Sequence, residues 1–401
     1  MQAVVLAGGL ATRLRPLTEK IPKVLVEVEG RPFLHYLLRL LHAQGVTEVV
    51  LSIGHLGEQV EEYLRASPPP LPVRVVKEPQ PLGTAGALHY CFSQGLLADR
   101  FFLTWGDSFL PIDWRPVWAA FRGEALMTVL HNAGKWDTSN VVFRDGKLVL
   151  YDKARTAAPP EDFTHIDYGL MALERNVVEE LTAGRGDLAE LFRSLSRSGR
   201  LQGLLVHHRF YEIGSHQGLA DFAEYLRAKL LVVLDRDGVI NRTVVHADDP
   251  RDSPLNAGEV ELMPFAAEAV AELAQHGAAL AIASNQPAAA KGKTTRAEAE
   301  AVHARILSAL PAEVRSHLCW HKKEDGCACR KPRPGLVLDA MAEAPGLETW
   351  FVGDKVTDHE AGRAAGARTA LVDPASAEAG PDWKGPDLAA FVRFLGALKG
   401  W

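Results

Sequence analysis

Residues 230–241 read LLVVLDRDGVIN, and this stretch decides the fold of the second half of the chain. The apolar run from Leu230 to Leu234 is bounded by a helix-like segment on one side and by Asp235-x-Asp237-Gly238 on the other. That pattern predicts a buried parallel strand carrying two carboxylates at its carboxyl end, which is where open α/β sheets bind ligands. A strand followed by a plain Asp-Gly turn is the alternative, and the residues downstream choose between them.

Downstream, a helix around 265–276 stopped by Gly277, a strand at 279–283 and a helix from about Thr295 follow one another. They are succeeded by a helix at 336–342, a strand at 349–352, a helix at 359–365 ended by Gly366, and a strand at 368–372. This alternation predicts a doubly wound domain over residues 230–375, with 376–401 as a C-terminal tail packed on it. Four polar sets fall at strand or loop ends: Asp235 with Asp237; Ser284-Asn285-Gln286; Arg330-Lys331-Pro332; and Gly353-Asp354-Lys355 with Asp358. In all four sets and in their order this half resembles the haloacid-dehalogenase phosphatase superfamily. The resemblance implies that Asp235 is a nucleophile forming an aspartyl phosphate and that Asp237 is the acid and base. It further implies that Ser284 and Lys331 steady the transferring phosphoryl group, with Asn285, Arg330 and Lys355 beside the phosphate. Mg²⁺ is expected on Asp235, Asp354 and the backbone carbonyl of Asp237.

The chain has four cysteines. Cys91 sits alone in an apolar segment and reads as a core residue. The other three join a histidine in Cys319-x-His321-x5-Cys327-x-Cys329, a soft-ligand set suited to a tetrahedral structural Zn²⁺; redox control by Cys327 and Cys329 is a distant alternative. Running into Arg330-Lys331-Pro332, the arrangement looks like the branch that contains heptose-bisphosphate and histidinol-phosphate phosphatases. The compact loop is similar to the histidinol type, whereas residues 285–292, NQPAAAKG, parallel the Asn-Gln-x-x-x-Ala-Arg-Gly string of the heptose type, with Lys291 for arginine.

Before Lys229 the chain shows a separate βαβ grammar, and no Gly/Ser or Pro-rich linker divides the expected domains 1–229 and 230–375. A strand at residues 2–6 runs into residues 7–25, AGGLATRLRPLTEKIPKVL. Its glycines let backbone approach a phosphate, and Arg13, Arg15 and Lys23 offset the charge. The string resembles the signature of the sugar-phosphate nucleotidylyltransferases at Gly8, Gly9, Thr12, Arg13, Pro22 and Lys23, with Ala11 in place of the commoner glycine. The resemblance implies a Rossmann-like mixed sheet, nucleotide contacts from Leu6, Gly8, Gly9, Thr12 and Arg13, and catalytic roles for Arg13 and Lys23. Residues 78–87, EPQPLGTAGA, match the family's second motif, which places Glu78 and Gly83 at the base. A carboxylate accepts from both N1–H and N2–H of guanine but from only one ring N–H of uracil, which favours GTP. Asp107, after the strand at 101–104, is the expected Mg²⁺ ligand, and Glu212 stands where the family has a second aspartate. Asn140, Lys153 and Asp167 are the sugar candidates, although Asp152-Lys153 replaces the usual Glu-Lys and Lys153 is equally readable as a solvated strand-end charge.

The 401 residues are 47% hydrophobic and 23% charged, with a net charge of −6. That balance gives no global attraction to nucleic acid or an anionic membrane, and neither a signal h-region nor an 18-residue apolar run is present. The expectation is a cytoplasmic bifunctional α/β enzyme, two doubly wound domains acting on GTP and heptose phosphates. A mannose or hexosamine transferase using GTP or UTP, fused to a histidinol-phosphate-type phosphatase, and a nucleotide-sugar-binding scaffold without turnover remain open beside it.

Overall fold

In the computed structural model, residues 1–9, 12–132, 134–247, 249–372 and 380–401 are described. Ala11 and the expected 375/376 boundary lie outside them. The chain divides into two units, Met1–Leu226 with Gly400, and Arg227–Lys399 with Trp401.

In the second unit the strand Leu230–Leu234 is buried at every position. It lies between two parallel neighbours, Ala279–Asn285 and Glu348–Gly353, and Arg315–Cys319, Arg368–Leu371 and Trp383–Lys384 complete a six-stranded sheet whose pairings are all parallel. Both faces of this sheet are covered. Leu231, Val233 and Phe351 pack with Leu336, Val337 and Ala361 on one face. Trp350, one residue before Phe351, meets Phe391 and Phe394 of the C-terminal helix Leu388–Lys399 on the other. Each fully buried Leu or Val in such a strand contributes about 1.5–3 kcal/mol, which is why the run is continuous rather than alternating. The helix Arg296–Ser308 starts at Thr295 with a capping box closed by Glu298. A hairpin of Val244–His246 and Asp249–Asp252 and the edge strand Arg315–Cys319 carry no hydrophobic periodicity and were not expected from the residues.

In the first unit Gln2–Leu6 is the central strand, parallel to Glu48–Ile53 and Arg100–Trp105, with Val73–Lys77 beyond the former. His165–Glu174 runs antiparallel to Arg100–Trp105 and to Ala125–His131, and the latter pairs in parallel with Leu201–Val206. The result is a nine-stranded mixed sheet. Its parallel half brings the ends of Gln2–Leu6 and Arg100–Trp105 together, so the loops after Leu6 and Trp105 open on the same place. No described helix is long and apolar enough to cross a membrane.

Candidate active sites

A cleft of about 680 Å³ opens above those strand ends. Leu6, Gly8, Gly9, Arg13, Lys23, Glu78, Gly83, Asp107, Asn140, Lys153, Asp167 and Glu212 line it together. Thr12 does not; it is exposed at the start of a short 3-10 turn, Thr12–Leu14. Lys23 is ion-paired with Asp107. Glu78 is buried, accepting from Ser52 Oγ at 3.1 Å and Leu82 N at 3.2 Å, one bond on each oxygen, so each oxygen retains acceptor capacity. A side chain at Gly8 would drive into this carboxylate, its Cβ lying 2.9 Å from Glu78 Cδ. Glycine there makes room for the acid.

Asn140 and Asp167 hold each other. Asn140 Nδ2 donates to Asp167 Oδ2 at 2.7 Å, and Asp167 N donates to Asn140 Oδ1 at 2.9 Å. Burial pushes the Asp167 carboxyl up, against the hydrogen bond from Asn140. Burial also lifts Glu212 to about 7, and Asp107, Asp137 and Asp167 add their repulsion. Asp107 and Glu212, both half-buried, line the cleft and offer the hard oxygen donors that suit a divalent ion. Lys153, although largely exposed, reaches Asp187 Oδ2 at 3.1 Å. Arg185, Asp187, Asp137 and Thr138 also line the cleft; they lie on loops with no periodic pattern, and no motif pointed to them.

The second unit has a cleft of about 630 Å³, lined by Asp235, Asp237, Ser284, Asn285, Arg330, Lys331 and Lys355. Asp354 stands directly behind: Asp235, Asp354 and Asp358 bring carboxylate oxygens within 4.8 Å of one another, and all three are buried. Burial pushes Asp354 up to about 7; Lys355 opposes the shift, while Asp235 and Asp358 add to it. One of its oxygens has no hydrogen-bond partner, so the group fits a divalent cation. Gly238, at φ +89°, lies so close that any Cβ would meet the Asp354 carboxylate, which explains the glycine after Asp237. Lys331 Nζ bridges Asp235 Oδ1 at 2.9 Å and Asp358 Oδ1 at 2.6 Å. Asp358, noticed in the sequence without a role, is thus the lysine's anchor.

Asp237 lies in a dense network. Arg236 donates to both its oxygens at 3.1 and 3.0 Å, Asn241 at 2.8 Å, Gln286 at 2.7 Å and Ser253 Oγ at 2.8 Å. Burial raises this carboxyl, but Arg236 and the neutral donors outweigh it and hold it below the usual carboxylate range. Arg236, only 1% exposed, escaped the sequence reading because an arginine between two aspartates looks solvated. It also donates to Gln286 Oε1 at 2.6 Å.

At the foot of this cleft, Cys319 Sγ lies 3.6 Å from both His321 Nδ1 and Cys327 Sγ. Cys329 Sγ is 3.3 Å from His321 Nδ1 and 3.4 Å from Cys327 Sγ. Bonds of about 2.3 Å to sulfur around a tetrahedral ion separate sulfurs by about 3.8 Å, so the four donors fit such an ion with small adjustments. Burial and the neighbouring thiols push Cys329 up to about 12. In Cys327 a burial effect upward is outweighed by hydrogen bonds, the first from Cys329, which bring it down to about 7.

Residues 3–210, more than half of the chain, match the MobA-like NTP transferase domain family, and residues 328–387 match the HAD-hydrolase-like family. The chain belongs to the MobA-like NTP transferases, with a HAD-like phosphatase joined to it. Among relatives, the D-glycero-beta-D-manno-heptose-1,7-bisphosphate 7-phosphatase of Pseudomonas aeruginosa is 40% identical over 153 residues, 36% of this chain and 82% of that protein. The D-glycero-alpha-D-manno-heptose 1-phosphate guanylyltransferase of Aneurinibacillus thermoaerophilus is 27% identical over 154 residues, 38% of this chain and 66% of that protein. The catalytic subunit beta of the Danio rerio mannose-1-phosphate guanylyltransferase is 40% identical over 102 residues, 25% of this chain and 28% of that protein. The MobA-like part is a nucleotidyltransferase and the HAD-like part a phosphomonoesterase of the Pseudomonas enzyme's family.

Proposed function

We propose that this chain is a cytoplasmic enzyme with working domains at 1–229 and 230–375 that makes GDP-D-glycero-D-manno-heptose in two consecutive steps. The supporting observation is that relatives of its two units bear consecutive activities: a 7-phosphatase acting on heptose 1,7-bisphosphate leaves the heptose 1-phosphate that a guanylyltransferase takes. The phosphatase relatives are named for the β anomer and the guanylyltransferase relatives for the α anomer. Neither step touches the C1–O bond, so both units of this chain must accept one and the same anomer.

In the phosphatase, an Asp235 oxygen attacks the phosphorus of the 7-phosphate and the bond to the sugar oxygen breaks, leaving an aspartyl phosphate. Asp237 supplies the proton to that oxygen and then takes one from the water that hydrolyses the intermediate. Its ionised, fivefold-donated state suits the second task; the first requires it to turn partly out of the Arg236 network. Ser284 and Lys331 stabilise charge on the transferring group, with Asn285, Arg330 and Lys355 around it. Mg²⁺ on Asp235, Asp354 and the Asp237 carbonyl would supply further charge neutralisation, and Zn²⁺ on Cys319, His321, Cys327 and Cys329 would clamp the loop leading into Arg330 and Lys331.

In the transferase, an oxygen of heptose 1-phosphate attacks the α-phosphorus of GTP in line with the departing pyrophosphate. Arg13 and Lys23 offset the phosphate charge, Glu78 and Gly83 face guanine, and Asn140, Lys153 and Asp167 face the sugar. Asp107 and Glu212 would hold Mg²⁺, which would neutralise charge on the nucleotide phosphates. Mannose 1-phosphate as acceptor is the second reading, favoured by the Danio rerio match. Product mass spectrometry from heptose 1,7-bisphosphate with Mg²⁺ and each nucleoside triphosphate tests the scheme. Phosphate, pyrophosphate and GDP-heptose are expected from one anomer, and Glu78→Gln should erode the preference for GTP over UTP. Phosphate release with no nucleotide sugar from any triphosphate would overturn it.

A further inference from the structure

One loop at the first cleft carries none of the residues expected at the nucleotide or the reacting phosphates. Between the strands Ala125–His131 and Val141–Arg144 the chain forms a loop whose Asp137 and Thr138 line the cleft at its exposed mouth. A single side chain ties that loop down. Asn132 is fully buried; its Nδ2 donates to the Asp137 carbonyl and to Ser139 Oγ at 3.1 Å, and its Oδ1 accepts from Trp136 N at 3.2 Å. Its backbone carbonyl accepts from Lys135 N at 3.0 Å, and its own N–H donates to Thr164 O at 3.1 Å. A primary amide offers both donor and acceptor at that point, so Asn132 ties Trp136, Asp137 and Ser139 together.

Asp137 Oδ1 accepts from Thr138 N at 2.6 Å, which orients the carboxylate. Asp137 stands three residues before Asn140 in the chain and lines the same cleft as Asn140 and Asp167. Among the described residues, Asp137 does not join Asp107 and Glu212 in a metal-holding triad. A carboxylate accepts but does not donate, so it repels phosphate and welcomes hydroxyl groups. Asp137 and Thr138 thus offer hydroxyl-binding groups in the same cleft as Asn140, Lys153 and Asp167, the residues expected at the sugar ring.

We propose that Asp137 and Thr138, positioned by Asn132, form a subsite for the exocyclic hydroxyls of the sugar 1-phosphate and, because a seven-carbon sugar offers two such hydroxyls where a six-carbon sugar offers one, select the former. The inference rests on the guanylyltransferase reading. It is tested on the full chain by pyrophosphate release with GTP, Mg²⁺ and either heptose 1-phosphate or mannose 1-phosphate. The parent should favour heptose by about tenfold or more in kcat/KM, as expected for a satisfied hydroxyl-binding group. In Asp137→Ala the heptose KM should rise about tenfold with the GTP KM unchanged, so that the preference falls towards unity. Thr138→Val and Asn132→Ala should move the same ratio in the same direction, and Asp137→Asn, which keeps an acceptor oxygen, should restore part of it. A parent that turns over neither sugar overturns the guanylyltransferase reading and the subsite with it. A parent that prefers heptose, with an Asp137→Ala variant that keeps the full preference or instead changes the GTP KM, overturns the subsite alone.

Discussion

Replacing Lys331 by methionine isolates the electrostatic core of the phosphatase. The lysine side chain is 2% exposed, and it bridges Asp235 and Asp358, whose side chains are 7% and 1% exposed. Methionine keeps most of the volume but leaves two buried carboxylates facing one another. Removing one partner of a buried ion pair costs about 3–5 kcal/mol, and here one cation serves two anions. Hydrogen exchange followed by mass spectrometry reads this locally: amides of Leu230–Leu234 should exchange roughly two to three and a half orders of magnitude faster, with those of Gln2–Leu6 as the internal control. The pH dependence carries the cause. In the parent, burial lowers the Lys331 pKa but Asp235 and Asp358 outweigh it and raise the pKa above the ordinary value, so its charge is complete at neutral pH. Asp358 is already raised by burial, with Lys331 opposing. Without the lysine it rises further above its unfolded value, so the deficit is largest in mildly alkaline buffer and shrinks as pH falls and the acid takes up a proton. Added Mg²⁺ should return part of the loss. A variant within about 1 kcal/mol of the parent near pH 8, or a deficit that grows on acidification, refutes the electrostatic account.

Two further outcomes follow from the metal-binding groups. Stripping the Cys319–Cys329 loop with a chelator, or Cys329→Ser, should abolish phosphate release and speed exchange across residues 319–330 while pyrophosphate release persists; full phosphatase activity in protein shown by elemental analysis to hold no zinc would contradict the clamp. Asp354 and Glu212 are both pushed to about 7, in each case first by burial, and must be ionised to hold a cation. Mg²⁺ affinity by calorimetry should therefore fall towards tenfold per pH unit below about 7 and level off above it. The metal-free protein loses stability as pH rises from the ordinary carboxylate range to about 7, and Mg²⁺ restores it. An affinity that is flat from about pH 5.5 to 8 would remove the premise.

Residues 230–241, the Gly8–Lys23 loop and the Cys-x-His…Cys-x-Cys set were legible as chemistry because each packs its determinants into a short span: a continuous apolar run, glycines beside cations, soft ligands at fixed spacing. The alternation of strands and helices predicted the doubly wound architecture, and the family resemblance carried by such motifs implied the two enzyme classes and most of the cleft residues. What escaped was non-local. Asn132 reads as a loop asparagine until Asp137, Ser139 and Trp136 are seen around its amide. Arg236 reads as solvated until Gln286 and Asp237 close on it, and Asp358 becomes necessary only once Lys331 arrives from a segment far away in the chain. Thr12 fits its motif yet is not among the residues that line the cleft, and the C-terminal helix became intelligible only against Trp350 and Trp383. Sequence determines which groups are on offer, because residue type and local periodicity are properties of adjacent atoms. Which carboxylates share a cation, which acid is held ionised and which is pushed to neutrality were decided by the tertiary structure, because desolvation and charge pairing depend on distances between residues that meet only when the strands come together.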